Sequence, residues 1–305
     1  MKLALGTVQL GLHYGIGNIM GKPNREEALN IIQYAINNGI DVLDTASSYG
    51  NSEAIIGEYV SSKKTGKNFR IVTKIPMIDE KNVGMEHLDR LIDKYIKQSI
   101  MNLKTKSLDC CLLHDSKNID SHNGYIIRKL NTLKLKGEIK KIGVSIYTPD
   151  EVRKFLKFDC FDIIQVPLNI FDQRLIYSGL LKELKTKGIE IHARSPYLQG
   201  LLLMDVEEIP DYLNIAKKPI KELELLAKEF NLSRAQLALL FVREMKEVDK
   251  IIIGCETVNQ LKENIQICNL PLLEREVLTS AKKLFKDIPE IIINPNLWRM
   301  SNEST

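Results

Sequence analysis

Four side chains in this sequence have the types and spacing to act on a carbonyl group. Asp44 and Tyr49 stand five residues apart in DTASSYG, Lys74 closes the run VTK, and His114 follows the apolar run LL in LLHD. A phenol ordinarily titrates near ~10. A nearby ammonium favours the ionised form, so Lys74 is expected to lower that value and make Tyr49 a usable proton donor near neutrality. Asp44 would hold Lys74 in place and keep it charged, while His114 would hydrogen-bond a carbonyl oxygen and orient it. Singly, each has a plainer reading: a helix-capping aspartate, a solvated lysine, a structural histidine. The argument rests on their joint register at consecutive strand ends.

The elements that must position them are short, mostly apolar runs alternating with longer amphipathic stretches. Strands are expected at 3–7, 41–45, 70–74, 109–114, 141–145, 162–166, 189–193 and 250–254. Their continuous apolar character suits parallel strands covered on both faces. Helical periodicity fills the gaps, as at 25–38, where Ala28, Ile31, Ile32, Ala35 and Ile36 share one side, and at 86–103. The stretch 223–245 reads as two helices split by NLS, with Ser233 as N-cap. Eight βα units in 305 residues predict an α/β fold, a closed (β/α)8 or TIM barrel forming a single domain over 1–305. An open doubly wound sheet is the runner-up.

Composition narrows the function classes. The chain is 44% hydrophobic and 27% charged with a formal charge of +4, which speaks against disorder and against a nucleic-acid partner. The apolar start is broken by glycines and His13, so neither a membrane span nor a secretory leader is expected. Five cysteines without a C-x-x-C pair argue against a disulfide framework or zinc ribbon, and the scattered histidines predict no metal site. A cytoplasmic location follows from that reading. Gly15, Gly17 and Gly21 give G-x-G-x-x-x-G after a loop, which is no dinucleotide fingerprint, and Gly21-Lys22 lacks the P-loop spacing.

The run GIDVLDTASSYGNSEAIIGE at 39–58 resembles the signature of the aldo-keto reductases. The likeness extends through VTK, LLHD, IGVS, IIQVPLN, RSPYLQGLLL and IIIG…QLKEN, over nearly the whole chain. It implies an NAD(P)H-dependent oxidoreductase in which Asp44, Tyr49, Lys74 and His114 form the catalytic set. Tyr49 would be the general acid as a reduced nicotinamide delivers hydride. It further implies that Ser145 and Gln165 hold the carboxamide and that Gly6, Thr7 and Val8 line the cofactor cleft. Ser195, Leu198 and Gly200 would follow the pyrophosphate. Gly254, Cys255, Glu256, Thr257, Gln260, Glu263 and Asn264 would lie near the adenosine half.

Three departures from that pattern stand out. Ser145 is followed by Ile146 rather than asparagine, so one carboxamide contact is missing. Arg194 stands where an aromatic ring often stacks on the nicotinamide; a guanidinium can stack, but its charge disfavours the oxidised ring. At the adenosine end Glu256 and Gln260 replace the usual cation for a 2′-phosphate. Family habit thus favours NADP(H), whereas Glu256 suits the free ribose hydroxyl of NAD(H).

The expected partner is a small-molecule carbonyl substrate, a sugar or sugar-nucleotide ketone of bacterial carbohydrate metabolism. His13, Tyr14, Ile16, Ser47, Ser48 and Trp298 are candidates to line its site, with Trp298 either walling the mouth or packing the tail. The alternative is a cofactor-binding regulatory subunit of the same fold that acts through a protein partner. A retained tetrad weighs against it.

Overall fold

In the computed structural model, which describes residues 2–62, 68–78 and 84–298, eight parallel strands close into a barrel in chain order. They are β1 (Leu3–Gly6), β2 (Val42–Asp44), β3 (Arg70–Ile75), β4 (Leu108–Leu113), β5 (Ile139–Ser145), β6 (Ile163–Pro167), β7 (Glu190–Arg194) and β8 (Lys250–Gly254). Closure is made by β1 on β8, in the register Leu3↔Ile251 to Gly6↔Gly254. That pairing excludes the open doubly wound sheet.

The outer layer follows the expected periodicity. Helices α1 (Arg25–Asn37), α2 (Ser52–Ser61), α3 (Met85–Leu103), α4 (Tyr125–Leu135), α5 (Pro149–Phe155) and α6 (Leu180–Thr186) succeed β1 to β6. Helices α7 (Lys217–Glu229) and α8 (Arg234–Arg243) follow β7, and α9 (Val258–Cys268) and α10 (Arg275–Leu284) follow β8. In α1, the Asn24 side chain accepts from the Glu27 backbone and the five apolar residues named above are all buried. Ser233 caps α8 as expected, its hydroxyl accepting from Gln236 N and its own N–H donating to the Gln236 side-chain oxygen. Helix α7 begins at Lys217, earlier than its apolar pattern, because Pro219 is tolerated in a first turn.

Strand alternation sorts the barrel interior into layers. Ala4, Val42, Val72, Cys110, Leu112, Ile163 and Ile252 form a closed apolar middle layer. Two residues further along β2, β3, β4 and β6 stand Asp44, Lys74, His114 and Gln165, all at the C-terminal end. Two residues before Val72 on β3 stands Arg70, at the opposite end.

That opposite end carries an ionic cluster. Arg70 of β3 donates through both terminal nitrogens to Glu190 of β7, at 3.0 and 2.7 Å. Lys141 of β5 reaches the same carboxylate at 2.6 Å, and His192 lies 3.0 Å from it. Burial would raise the pKa of Glu190, but hydrogen bonds from His192, Arg70 and Lys141 outweigh it and hold the carboxyl well below its usual range.

Glu190→Gln should therefore destabilise the fold. Removing one partner of a buried cluster costs about 3–5 kcal/mol, but the Arg70 and Lys141 side chains are 37% and 39% exposed. We expect about 2 kcal/mol after that screening, read as a shift in the urea midpoint at pH 7. The stabilisation is fully present above the ordinary carboxylate range and is lost as pH falls below it. The difference between the two proteins should shrink below about pH 4.

Candidate active site

The interior of the C-terminal end is organised by one buried ion pair. Lys74 Nζ donates to Asp44 Oδ2 at 2.7 Å and to the Thr45 carbonyl at 2.8 Å. The two side chains are 0% and 5% exposed, so each charge is stable here only because the other is present. Asp44 Oδ1 accepts from Gln165 Nε2 at 2.7 Å, which ties β6 to the same carboxylate.

Tyr49 reaches this pair because two glycines let the chain fold tightly after β2. A Cβ on Gly11 would come within 1.8 Å of the Tyr49 carbonyl oxygen. Gly50 adopts φ +55°, and a Cβ there would meet the Gly11 oxygen at 2.4 Å. The turn is pinned from below by hydroxyls. Ser52 Oγ donates to Thr7 Oγ1 at 2.7 Å, and Thr7 Oγ1 donates to the Asp44 carbonyl at 2.9 Å. Glu53 accepts from Thr73 at 2.7 Å and from Asn102 at 3.1 Å, locking α2 to β3 and α3. The Ser-Glu pair that trails the tyrosine in the sequence thus positions the turn.

Lys74 Nζ lies 5.1 Å from the Tyr49 ring centroid, and the His114 ring meets Tyr49 edge-on at 5.5 Å. The expected lowering of the phenol's pKa is reversed. Burial raises it, the Asp44 charge raises it further, and Arg194 only partly opposes them. Lys74 donates to Asp44 and to the Thr45 carbonyl rather than to the phenol, so burial prevails and the phenol stays protonated at rest. His114 is pushed the other way. Burial, then the charges of Lys74 and Arg194, lower it to about 3, so the imidazole is neutral near pH 7. Its Nδ1 is 3.1 Å from Ser48 Oγ. With that hydroxyl donating, Nε2 carries the hydrogen and can donate to a ligand oxygen.

A cavity of about 770 Å³ opens over these groups. Tyr49, His114 and Asp44 line it, as do Gly6, Thr7, Val8, Ser145, Gln165, Arg194, Ser195 and Gly254. Lys74 does not line it and acts from behind Asp44. Of the expected substrate-site residues His13, Tyr14, Ile16, Ser48 and Trp298 face the cavity, whereas Ser47 turns its hydroxyl to the Lys74 carbonyl. Trp298 meets both descriptions given for it: it lines the cavity, is 3% exposed and donates Nε1 to the Ile291 carbonyl at 2.8 Å.

Leu198, Gly200, Cys255, Glu256, Thr257, Gln260, Glu263 and Asn264 are not brought into this cavity. Leu198 is a core side chain, 1% exposed. Gly200 packs backbone to backbone on Gly17, where a Cβ would come within 2.8 Å, which explains Gly17 of the glycines rejected as a nucleotide motif. Thr257 and Gln260 form the capping box of α9. Glu27 Oε1 accepts from Val258 N at 2.9 Å, and burial with the Glu256 and Glu27 carboxylates pushes the Cys255 thiol up. Asn264 accepts from Tyr197 Oη at 2.5 Å, joining α9 to the loop after β7.

Sequence reasoning missed Gln9, Tyr147, Tyr197 and Tyr212 among the lining residues. Strand alternation carried on from Ser145 would have found Tyr147. Nothing local marks Gln9, which sits in the short helical turn Val8–Gly11.

Among known proteins, the sequence model described as the aldo/keto reductase family matches residues 2–284. An uncharacterised oxidoreductase, YqkF of Bacillus subtilis, is 27% identical over 302 residues, covering 92% of this chain and 95% of its own. An NADH-specific methylglyoxal reductase of Escherichia coli is 25% identical over 315 residues, covering 90% and 95%. The solved holo form of an aldo-keto reductase from Bacillus halodurans superposes with a TM-score of 0.74 at 21% identity, covering 93% and 91%.

Two outcomes follow from the buried charges. Lys74→Ala strands the Asp44 carboxylate and should cost about 3–5 kcal/mol in chemical denaturation. For His114, the folded value lies below the unfolded one. As pH drops below about 6.5, the unfolded chain takes a proton that the folded site refuses. This group therefore withdraws stability as pH falls, and the imidazole resonances of His114 should show no titration between pH 5 and 8.

Proposed function

Because the chain belongs to the aldo/keto reductase family, we propose that it reduces the carbonyl group of a small aldehyde or ketone, with Tyr49 as general acid. The observation that carries this reading is the joint placement of a protonated phenol and a neutral imidazole on one cavity wall, backed by a fully buried ammonium.

The cavity residues suit a nicotinamide dinucleotide. The Ser145 hydroxyl and the Gln165 amide face it from β5 and β6, and Gln9 Oε1 is buried without a hydrogen-bond partner among the described residues. When bound, the reduced nicotinamide supplies the hydride. His114 Nε2 would donate to the carbonyl oxygen and fix its direction. Tyr49 would pass its phenolic proton to that oxygen as charge develops on it. The Lys74 ammonium near the ring would favour the resulting phenolate, which burial alone would resist. Asp44 would keep Lys74 in range.

Two readings bear on the cofactor. Family habit supports NADPH. The amides at the start of α9 are satisfied by Gln260 and by the Glu27 carboxylate, with Glu256 alongside, and that negative end supports NADH. Polar groups from His13, Tyr14, Ser48, Tyr212 and Asn296 around the mouth support a hydroxylated, sugar-like carbonyl substrate.

The test is loss of reduced-nicotinamide absorbance with NADH and NADPH separately, against aromatic aldehydes, diketones and sugar ketones. Tyr49→Phe should lower turnover by roughly 10²- to 10⁴-fold while nucleotide affinity survives. Turnover that persists in this variant, or that never occurs with any carbonyl, would overturn the assignment. The faster cofactor decides between the two readings of the α9 end.

A further inference from the structure

Among the described residues, apart from two histidines, the ionisable cation and anion on the cavity wall are Arg194 and Asp44. Asp44 is neutralised from behind by Lys74, which leaves the charge of Arg194 unbalanced. The contrast with other part-buried arginines is clear. Arg70 forks onto Glu190, Arg174 onto Asp172, and Arg243 binds Glu244. For Arg194, no carboxylate of the described residues lies within ion-pair distance.

Its guanidinium is nonetheless held rigidly. Nη2 donates to the Ile146 carbonyl at 2.9 Å, and the central carbon sits 4.1 Å from the centroid of the Tyr147 ring. One face and one nitrogen are thereby fixed, while Nε and Nη1 have no hydrogen-bond partner among the described residues. The charge also reaches the catalytic wall, since it depresses His114 and opposes the rise of Tyr49. A partly desolvated, immobilised guanidinium with open donors is matched by a planar or tetrahedral oxyanion. Supplied by a ligand, that anion would replace the protein carboxylate that the other arginines possess.

We propose that Arg194 determines substrate class by binding an anionic group, carboxylate or phosphate, carried on the same molecule as the reducible carbonyl. The inference rests on the carbonyl-reduction reading for the placement of that carbonyl at Tyr49 and His114. The alternative source of the anion is the pyrophosphate of the cofactor itself, and the experiment separates the two.

Turnover is compared for matched pairs: 4-carboxybenzaldehyde against its carboxamide, and glyceraldehyde 3-phosphate against glyceraldehyde. The wild type should favour the charged member in kcat/KM by roughly 10- to 100-fold, as expected for charge-assisted hydrogen bonds. Arg194→Gln should erase that preference through KM, and Arg194→Lys should retain part of it. Affinity for the reduced nucleotide is measured in both variants, because Arg194 also stands where a ring often stacks on the nicotinamide; the charged-over-neutral preference is the readout that a cofactor role alone would not move. An equal loss on charged and neutral members, or a fall in nucleotide affinity with the preference intact, would overturn the proposal.

A reaction-independent arm uses the single tryptophan, Trp298, in the cavity wall as fluorescent reporter. Terephthalate binding that weakens in Arg194→Gln supports the anion site even if no carbonyl is reduced, in which case only the reductase reading fails. Terephthalate binding that is identical in wild type and variant would sink the anion site whatever the turnover.

Discussion

The buried pair between Lys74 and Asp44 is the constraint from which the rest of the site follows. An ammonium with no exposed surface is tenable only against a carboxylate at hydrogen-bond distance. Once that carboxylate is committed on one oxygen, its other oxygen fixes Gln165. The pair therefore binds β2, β3 and β6 together at the mouth of the barrel. It also explains why Tyr49 is more weakly acidic at rest than the ammonium alone would make it. The lysine's hydrogen bonds go to Asp44 and the Thr45 carbonyl rather than to the phenol, and burial dominates.

The barrel carries charge at both ends and hydrocarbon between. The apolar middle layer isolates the two polar groups of residues, so each must satisfy itself. At the N-terminal end, Glu190 gathers Arg70, Lys141 and His192 onto one protein carboxylate. At the C-terminal end, Gln9, Arg194 and the edge of His114 keep hydrogen-bonding capacity facing a cavity. The same alternation of strand residues produces both ends. One turns its cations onto a protein carboxylate and the other turns its donors into a cavity, which is the physical difference between a plug and a site.

Much of the signature around Tyr49 does no chemistry. Gly11 and Gly50 remove the volumes that would push the tyrosine turn away from the barrel, and Ser52, Thr7 and Glu53 hold it with buried hydrogen bonds. The glycines at 15, 17 and 200 serve a similar purpose, bringing the loop after β1 against the loop after β7. Their spacing was legible in the sequence, but their partners were not, because a close approach between backbones has no local pattern.

The eight strands, the order of the barrel and the register of Asp44, Lys74 and His114 at adjacent strand ends were determined by the sequence itself. Short, mostly apolar runs between amphipathic helical stretches mark the strands, and the polar residues that close those runs mark the strand ends; that information is local. The direction of the acid constants was decided only in three dimensions. Tyr49 and His114 take their values from burial and from charges on distant strands, none of which is encoded near them. The unpartnered state of Arg194 is of the same kind. A sequence contains 39 acidic residues, and only the fold shows that none of those described pairs with this guanidinium. Hydrogen-bond saturation is a property of the closed barrel, because it depends on which strands closure brings face to face.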